Sequence, residues 1–205
     1  MANKFYDITF TPGVKAAQER YGSRQRYEKI QSAGAQNTIL TDAEIDFIEQ
    51  RDGFYLATVG EQGQPYIQFR GGRRGFLKVL NETTLGFADF RGNLQYISVG
   101  NVRENKKVAL FLMDYPNRAR LKILADAEVK DILEAPELIE KLVDNDYTAK
   151  IERFVILHVE AFDWNCQQHI TPRYTIEEIR LMIQPLNEHI QTLEKEIEKL
   201  KAEKL

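Results

Sequence analysis

One cysteine, one tryptophan and three histidines among 205 residues make a thin supply of reactive side chains. Cys166 has no second cysteine to pair with, so an internal disulfide is excluded and a reducing, cytoplasmic setting is the expectation. Cys166 and His169 form at most half a metal site, and no other ligand cluster completes it, so no metal is expected. No apolar run reaches the ~20 residues that span a bilayer. The opening MANKFYDITF lacks a secretory pattern, and no membrane partner is expected. A net charge of -3 gives no broad cationic surface, which argues against a general nucleic-acid binder. No G-x-G-x-x-G fingerprint is present, which argues against FAD or NAD on a Rossmann unit. What is present is an ordinary globular composition, long enough to bury a core without staples.

The first 40 residues read as a polar helical lead-in, with Pro12 placed to open a helix after Thr11. Thr41 and Glu44 have capping-box spacing, and Leu40 with Ile45 the spacing of a hydrophobic staple, so a helix is predicted from Thr41 to about Asp52-Gly53. Short β-leaning runs follow at 54–59, 65–69, 76–80, 84–87, 108–114, 121–129 and 154–162, with short helices expected at 94–103 and 136–143. Seven short strands with tight connections predict a mainly β fold, an antiparallel barrel closed or nearly so, with flanking helices. From Ile176 the period changes. Ile176, Ile179, Ile183, Leu186, Ile190, Leu193, Ile197 and Leu200 alternate by three and four, a heptad seam suited to a parallel coiled coil or to a helix folded onto its own barrel. Glu196 and Lys201 flank the seam, and Pro185 should kink or restart the helix.

Chemistry concentrates between Pro65 and Asn101. In Arg70-Gly71-Gly72-Arg73-Arg74-Gly75, guanidiniums in a glycine-rich turn could clamp a phosphate, or could simply keep an exposed turn solvated. In the run from Phe90 through Arg91, Gly92, Asn93, Gln95, Tyr96 and Ser98, a strand hands over to a helix start whose free amides suit an anion or carbonyl; the plainer alternative makes Asn93 an N-cap and Tyr96 a core ring. Arg120 and Lys122 enter a later strand on one face. Trp164 through Arg173 gathers the tryptophan, the cysteine and His169.

The order strand, G-x-P turn, strand, arginine-rich turn, strand, then FADFRGN-x-QYIS-x-GN resembles the flavin-binding split barrels related to pyridoxamine 5′-phosphate oxidase. The resemblance runs from about Thr41 to Arg173. It implies a split barrel over residues 41–174, between the lead-in (1–40) and a C-terminal helix or coiled coil (175–205). It also implies a homodimer with FMN in a groove between two barrels, a deazaflavin being the less favoured cofactor. The flavin phosphate would fall to the arginine-rich turn. Arg73 with Lys78 reproduces the family's Arg-x-x-x-x-Lys spacing, whereas counting from Pro65 favours Arg70, with Gly71 beside it. Phe90 through Ser98 would line the flavin, Arg120 and Lys122 would touch it or the dimer contact, and Trp164 with Arg173 would cover it from the other subunit. Gln167-Gln168-His169 stands where the oxidases carry Arg-x-His, so pyridoxal-phosphate chemistry is not implied. His169 is the one candidate acid or base. The implied function is flavin-dependent oxidoreduction of a small molecule. The alternatives are a flavin carrier or redox sensor without turnover, and a cofactor-free dimeric interaction module.

Overall fold

The structure, a computed structural model, describes residues 3–34, 37–144, 146–164 and 168–203. It divides into two units, Met1–Asp114 with Ala119–Gln167, and Tyr115–Arg118 with Gln168–Leu205. In the first unit, short helices α1 (Lys4–Thr9), α2 (Pro12–Arg20), α3 (Arg24–Ser32) and α4 (Asp42–Glu49) lead into the strands. The strands are β1 (Gly53–Val59), β2 (Pro65–Gly71), β3 (Lys78–Asn81), β4 (Thr84–Phe90), β5 (Lys107–Asp114), β6 (Ala119–Asp131) and β7 (Ile151–Trp164). Helix α5 (Ile97–Glu104) joins β4 to β5, and α6 (Ile139–Leu142), preceded by two 3-10 turns, lies between β6 and β7. Each predicted strand is present, most of them longer by one to three residues at an end.

Local signals account for the helix starts. Thr11 accepts from the Val14 amide and Pro12 opens α2. At α4 the Glu44 carboxylate accepts from the Thr41 amide at 2.9 Å and the Thr41 hydroxyl at 2.6 Å, while Leu40 is buried and Ile45 packs on the core. The lead-in packs over the barrel. Phe5 of α1 is buried, the Tyr6 hydroxyl reaches Asp163 on β7, and the Asn37 amide donates to the Phe162 carbonyl at 2.6 Å.

The seven strands form one antiparallel sheet in the order β2-β1-β5-β6-β7-β4-β3. A flat sheet would hold β1 and β4 about 19 Å apart, four strand spacings. Yet the rings of Phe54 on β1 and Phe87 on β4 lie 5.4 Å apart, with Phe76 stacked on Phe54 at 5.6 Å. The sheet is therefore curled into a barrel around those rings, and β2 and β3 are edges that the pairing leaves unjoined. That open seam is the split. Leu56, Leu85, Leu110, Leu112, Leu121, Ile123 and Leu157 fill the rest of the interior, each such side chain contributing roughly 1.5–3 kcal/mol. A smaller cluster outside the barrel seats α6 on β4 and β7 through Leu142, Ala88, Phe154 and Ile156.

One strand breaks the usual pattern. On β2 the residues paired with the core positions Phe54 and Leu56 of β1 are Arg70 and Gln68, followed by Tyr66 opposite the buried Thr58. The alternate row, Ile67 and Phe69, is exposed. The strand is polar inward and apolar outward. Phe69 lies flat across Gly53 and Gly71, where a Cβ on Gly53 would come within 2.3 Å of its ring. At Gly71 a Cβ would come within 2.8 Å of the same ring, so Phe69 would have to shift to admit one.

In the second unit, α7 (Ile176–Ala202) begins at a capping box in which the Glu178 carboxylate accepts from the Thr175 amide at 2.7 Å. Of the kink or restart expected at Pro185, the restart does not occur: the helix is continuous through it. A proline removes one amide bond, and the turns on either side keep the segment helical. No helix among the described residues is long and apolar enough to cross a membrane.

Candidate functional site

The inward polar row of β2 and the edge of β4 face each other across the split and make a narrow, open cleft with a cavity volume of about 40 Å³. Its lining comes from three places: Tyr66, Gln68 and Arg70 on β2; Asp89 with Glu152 and Arg153 on β4 and β7; and the segment from Gly92 to Val99 that enters α5. A second hollow of about 280 Å³ shares Arg70, Asp89, Phe90 and Gly92, and adds Gly71, Arg91, Phe69, Phe76, Phe87, Ala88, Tyr147 and Ala149.

At the centre sits Asp89, 3% exposed and on the same inward row as Phe87. One carboxylate oxygen accepts from Arg70 Nη1 at 2.7 Å, the other from Arg153 Nη1 at 2.8 Å. β2 and β4 are five spacings apart in the sheet, about 24 Å if it were flat. The Arg70–Asp89 bond therefore clasps the two sides of the split, one layer above the ring plug. Arg153 is Asp89's register partner on β7; it donates to Glu152 at 2.7 Å and lies 4.9 Å over the Tyr96 ring. Burial works against its charge, but the bonds to Asp89 and Glu152 outweigh that and hold its pKa above the ordinary arginine value. With Arg91 at 3.8 Å from Glu152, three guanidiniums meet two carboxylates, so the cluster carries one net positive charge. Arg70 Nε is buried with no hydrogen-bond partner. A buried donor left unpaired costs roughly 1–3 kcal/mol, which an acceptor entering the cleft would recover.

The rim is built under strain. Leu94 and Tyr96 hold φ of 63° and 52°, left-handed values that cost a non-glycine residue about 1–3 kcal/mol each. Tyr96 is the N-cap of α5 but gives no side-chain cap, so the amides of the first turn, at Ile97, Ser98 and Val99 beside the cleft, have no side-chain acceptor there. The Ser98 hydroxyl donates to Gln68 Oε1 at 3.2 Å, tying the helix start to β2, and Tyr96 Oη donates to Glu152. Asn93 and Gln95 bond to each other on the exposed side. A cationic cluster, an orphaned guanidinium N–H and an uncapped helix start together suit an anionic group.

The structure thus brings together Arg70, Gly71, Phe90, Arg91, Gly92, Asn93, Gln95, Tyr96 and Ser98 from the sequence-derived set. It places the others elsewhere. Arg73 is on the exposed turn, 3.5 Å from Asp144 and 3.7 Å from Asp146, and Lys78 begins β3; neither lines the cleft. Arg120 and Lys122 lie on the outer face of β6, Arg120 over Phe111, Lys122 over Phe5 and paired with Asp163 at 2.7 Å. Trp164, at the end of β7, donates its indole N–H to Glu44 at 2.6 Å and packs edge-on against Phe47. His169, at φ 64°, and Arg173, 5.0 Å over Tyr115, belong to the second unit. Cys166 lies outside the described residues, among which no metal-holding cluster occurs. Asp89, Glu152 and Arg153 escaped the sequence reading. The signal was present: a lone carboxylate inside the apolar strand TLGFADF demands a buried cation.

The outer face of β2, β1, β5 and β6 is the complement of this cleft. Phe69, Tyr55, Phe111 and Lys122 form one cross-strand row, and Ile67, Ala57, Ala109 and Leu124 the next. Ile67 is 62% and Phe69 58% exposed, a contiguous apolar surface ending at an edge strand.

Comparison with known proteins agrees with this architecture. The family model for pyridoxamine 5′-phosphate oxidase matches residues 40–168, more than half of the chain. No curated protein matches it. Among solved structures, a proposed pyridoxamine 5′-phosphate oxidase from Lactobacillus delbrueckii is 23% identical, over 62% of this chain and 96% of that one, with a TM-score of 0.48. HupZ from Group A Streptococcus is 17% identical over 66% and 100%, TM-score 0.47. HutZ, a heme storage protein from Vibrio cholerae, is 16% identical over 60% and 92%, TM-score 0.40. On the strength of the family match and the split antiparallel barrel, the chain belongs to the pyridoxamine 5′-phosphate oxidase family.

Proposed function

We propose that this protein binds FMN in the cleft around Arg70, Asp89 and Arg153, and acts as a flavin-dependent oxidoreductase on a small molecule. Proteins of the family typically bind a flavin and are commonly dimers. The observation that carries the reading is the inverted β2 strand, which turns Tyr66, Gln68 and Arg70 inward beside an orphaned guanidinium N–H. The residues fit the phosphate: Arg70 Nε, the Ser98 hydroxyl and the first amides of α5 would hold it, while Asp89 fixes the guanidiniums in place. Gln68, Asn93 and Gln95 offer amides to the ring edge, and Phe90 offers an apolar wall. When bound, FMN supplies hydride transfer, and the protein supplies position and electrostatics.

The same strand supports a homodimer. Its outward row, Ile67 and Phe69, continues the apolar face of Tyr55 and Phe111, and a second copy is the occupant this reading assigns to it. Arg120 and Lys122, on that face, would then serve the second copy's cleft, as would Trp164, Arg173 and His169.

The test is titration of purified protein with FMN and with riboflavin, followed by flavin fluorescence. FMN should bind at least tenfold more tightly than riboflavin. Arg70→Met should abolish that preference while leaving riboflavin affinity within about threefold, one pairwise charged contact being worth ~1.4 kcal/mol or more. Failure of the wild-type chain to take up FMN, or a preference for FMN that survives Arg70→Met, would overturn the assignment.

A further inference from the structure

Helix α7 carries ten large apolar side chains, eight of them on one seam with Leu181 and Met182 off it, and buries none of its residues. Ile176, Ile179, Ile183, Leu186, Ile190, Leu193, Ile197 and Leu200 are between 43% and 71% exposed, spaced by three and four along one face. A helix of 27 residues, about 40 Å long, does not keep such a stripe in water without a partner. We infer that α7 pairs, parallel and in register, with α7 of a second copy of this chain.

The seam chemistry selects that arrangement. Written as heptads, the first core position holds isoleucine four times, at 176, 183, 190 and 197. The second holds Ile179 and then leucine at 186, 193 and 200. β-Branched residues at the first position with leucine at the second is the combination that packs as a parallel two-stranded coil. Pro185 falls off the seam and away from both flanking positions, so it meets no partner side chain.

Flanking charges fix register and direction. In a parallel pair each residue before a first core position faces the residue five further along the other helix. Glu196 then faces Lys201 of the second copy, and His189 faces Glu194; each rung occurs twice, and no rung sets like charges together. A slip of one heptad would bring Glu196 against Glu194 and His189 against Lys201, and would uncover two layers. An antiparallel pair over the same eight layers would gain Arg180 against Glu194, but it would set His189 against itself and part Glu196 from Lys201.

The area is sufficient. The seam side chains of two such helices together expose on the order of 1,400 Å², within the range of specific stable interfaces. The inference is independent of the flavin reading, since it concerns a separate unit and needs no cofactor.

Thiol cross-linking in the full-length chain tests it. Cys166→Ser removes the native thiol; Leu193→Cys then places one on the seam, and Gln191→Cys places one on the outer side as a control. Under mild oxidation without FMN, Leu193→Cys should form covalent dimers at least tenfold faster than Gln191→Cys. Adding Glu196→Lys at low salt should slow the Leu193→Cys reaction, and adding Lys201→Glu to that variant should restore it. Equal rates for the two cysteines, or no rescue by the charge swap, would overturn the inference. So would a mixture of Leu193→Cys and Ile183→Cys chains that cross-links faster than Leu193→Cys alone, the signature of an antiparallel pair.

Discussion

The split in this barrel is bridged twice, at neighbouring levels, by opposite chemistry. Phe54, Phe76 and Phe87 close one level with rings. Two residues along β4 from Phe87, and one strand across from Phe54, Arg70, Asp89 and Arg153 close the next with charges. The ring level gains from burial on every side. The ionic level must first strip water from three charged groups, and a buried ion network at best roughly balances that cost. A fold needing only stability would have repeated the rings. The charged level is therefore the costlier part of the seam, and it lines the cleft.

Breaking each level separates the two roles. Asp89→Ala should be the most damaging single change, because it leaves Arg70 and Arg153 facing each other without their shared carboxylate; a loss of about 3–5 kcal/mol is expected. Phe87→Ala should cost about 3–4 kcal/mol through the cavity it opens. The two differ under salt: 1 M NaCl should recover part of the Asp89→Ala deficit and none of that for Phe87→Ala, read by urea unfolding. Equal salt responses would mean that the charged level is held by packing alone. Next in size, Arg153→Met should destabilise by about 2–3 kcal/mol and Arg70→Met by about 1 kcal/mol, since Arg153 serves Asp89, Glu152 and the Tyr96 ring while Arg70 serves Asp89 alone. A reversed order would place the anchor of the cluster on β2 rather than β7.

The ring level was legible in the sequence and the ionic level was not, for a physical reason. Phe54 and Phe87 sit in short apolar runs whose period marks them as strand and core, while Phe76, read as opening a strand, lies just before β3 and is buried all the same. The capping box at Thr41 and Glu44 was equally plain, because both partners lie three residues apart. The clasp joins residues 19 and 64 positions apart, and no local pattern says that Arg70 turns inward. Counting from Pro65 did favour Arg70 over Arg73, and the structure sets Arg70 in the cleft and Arg73 on an exposed turn. Arg120 and Lys122 were expected on one face and share it, the outer one. Pro185 warned of a break that a 27-residue helix absorbs.

The smallest effect concerns a further buried charge, Glu44, which belongs to neither level of the seam. It is 5% exposed, and burial alone would raise its pKa. The hydrogen bonds from Thr41 and Trp164 more than reverse that, so the carboxyl titrates below the ordinary value of 4.5. A carboxylate whose pKa is depressed on folding contributes stability that is fully present above its unfolded value. That contribution is lost as pH falls through the lower folded value. Trp164 is the chain's single tryptophan, so its emission reports this bond without interference. Acidification from pH 6 should leave the emission steady down to about 4.5 and shift it below that, as the indole N–H loses its charged acceptor. Glu44→Gln should remove the step, since the amide does not titrate. It should also lower stability at pH 7 by about 1 kcal/mol, with the deficit shrinking toward pH 3. A step that persists in Glu44→Gln would assign the acid sensitivity of Trp164 to another carboxylate, and the bond between them would then be packing geometry without consequence for the fold.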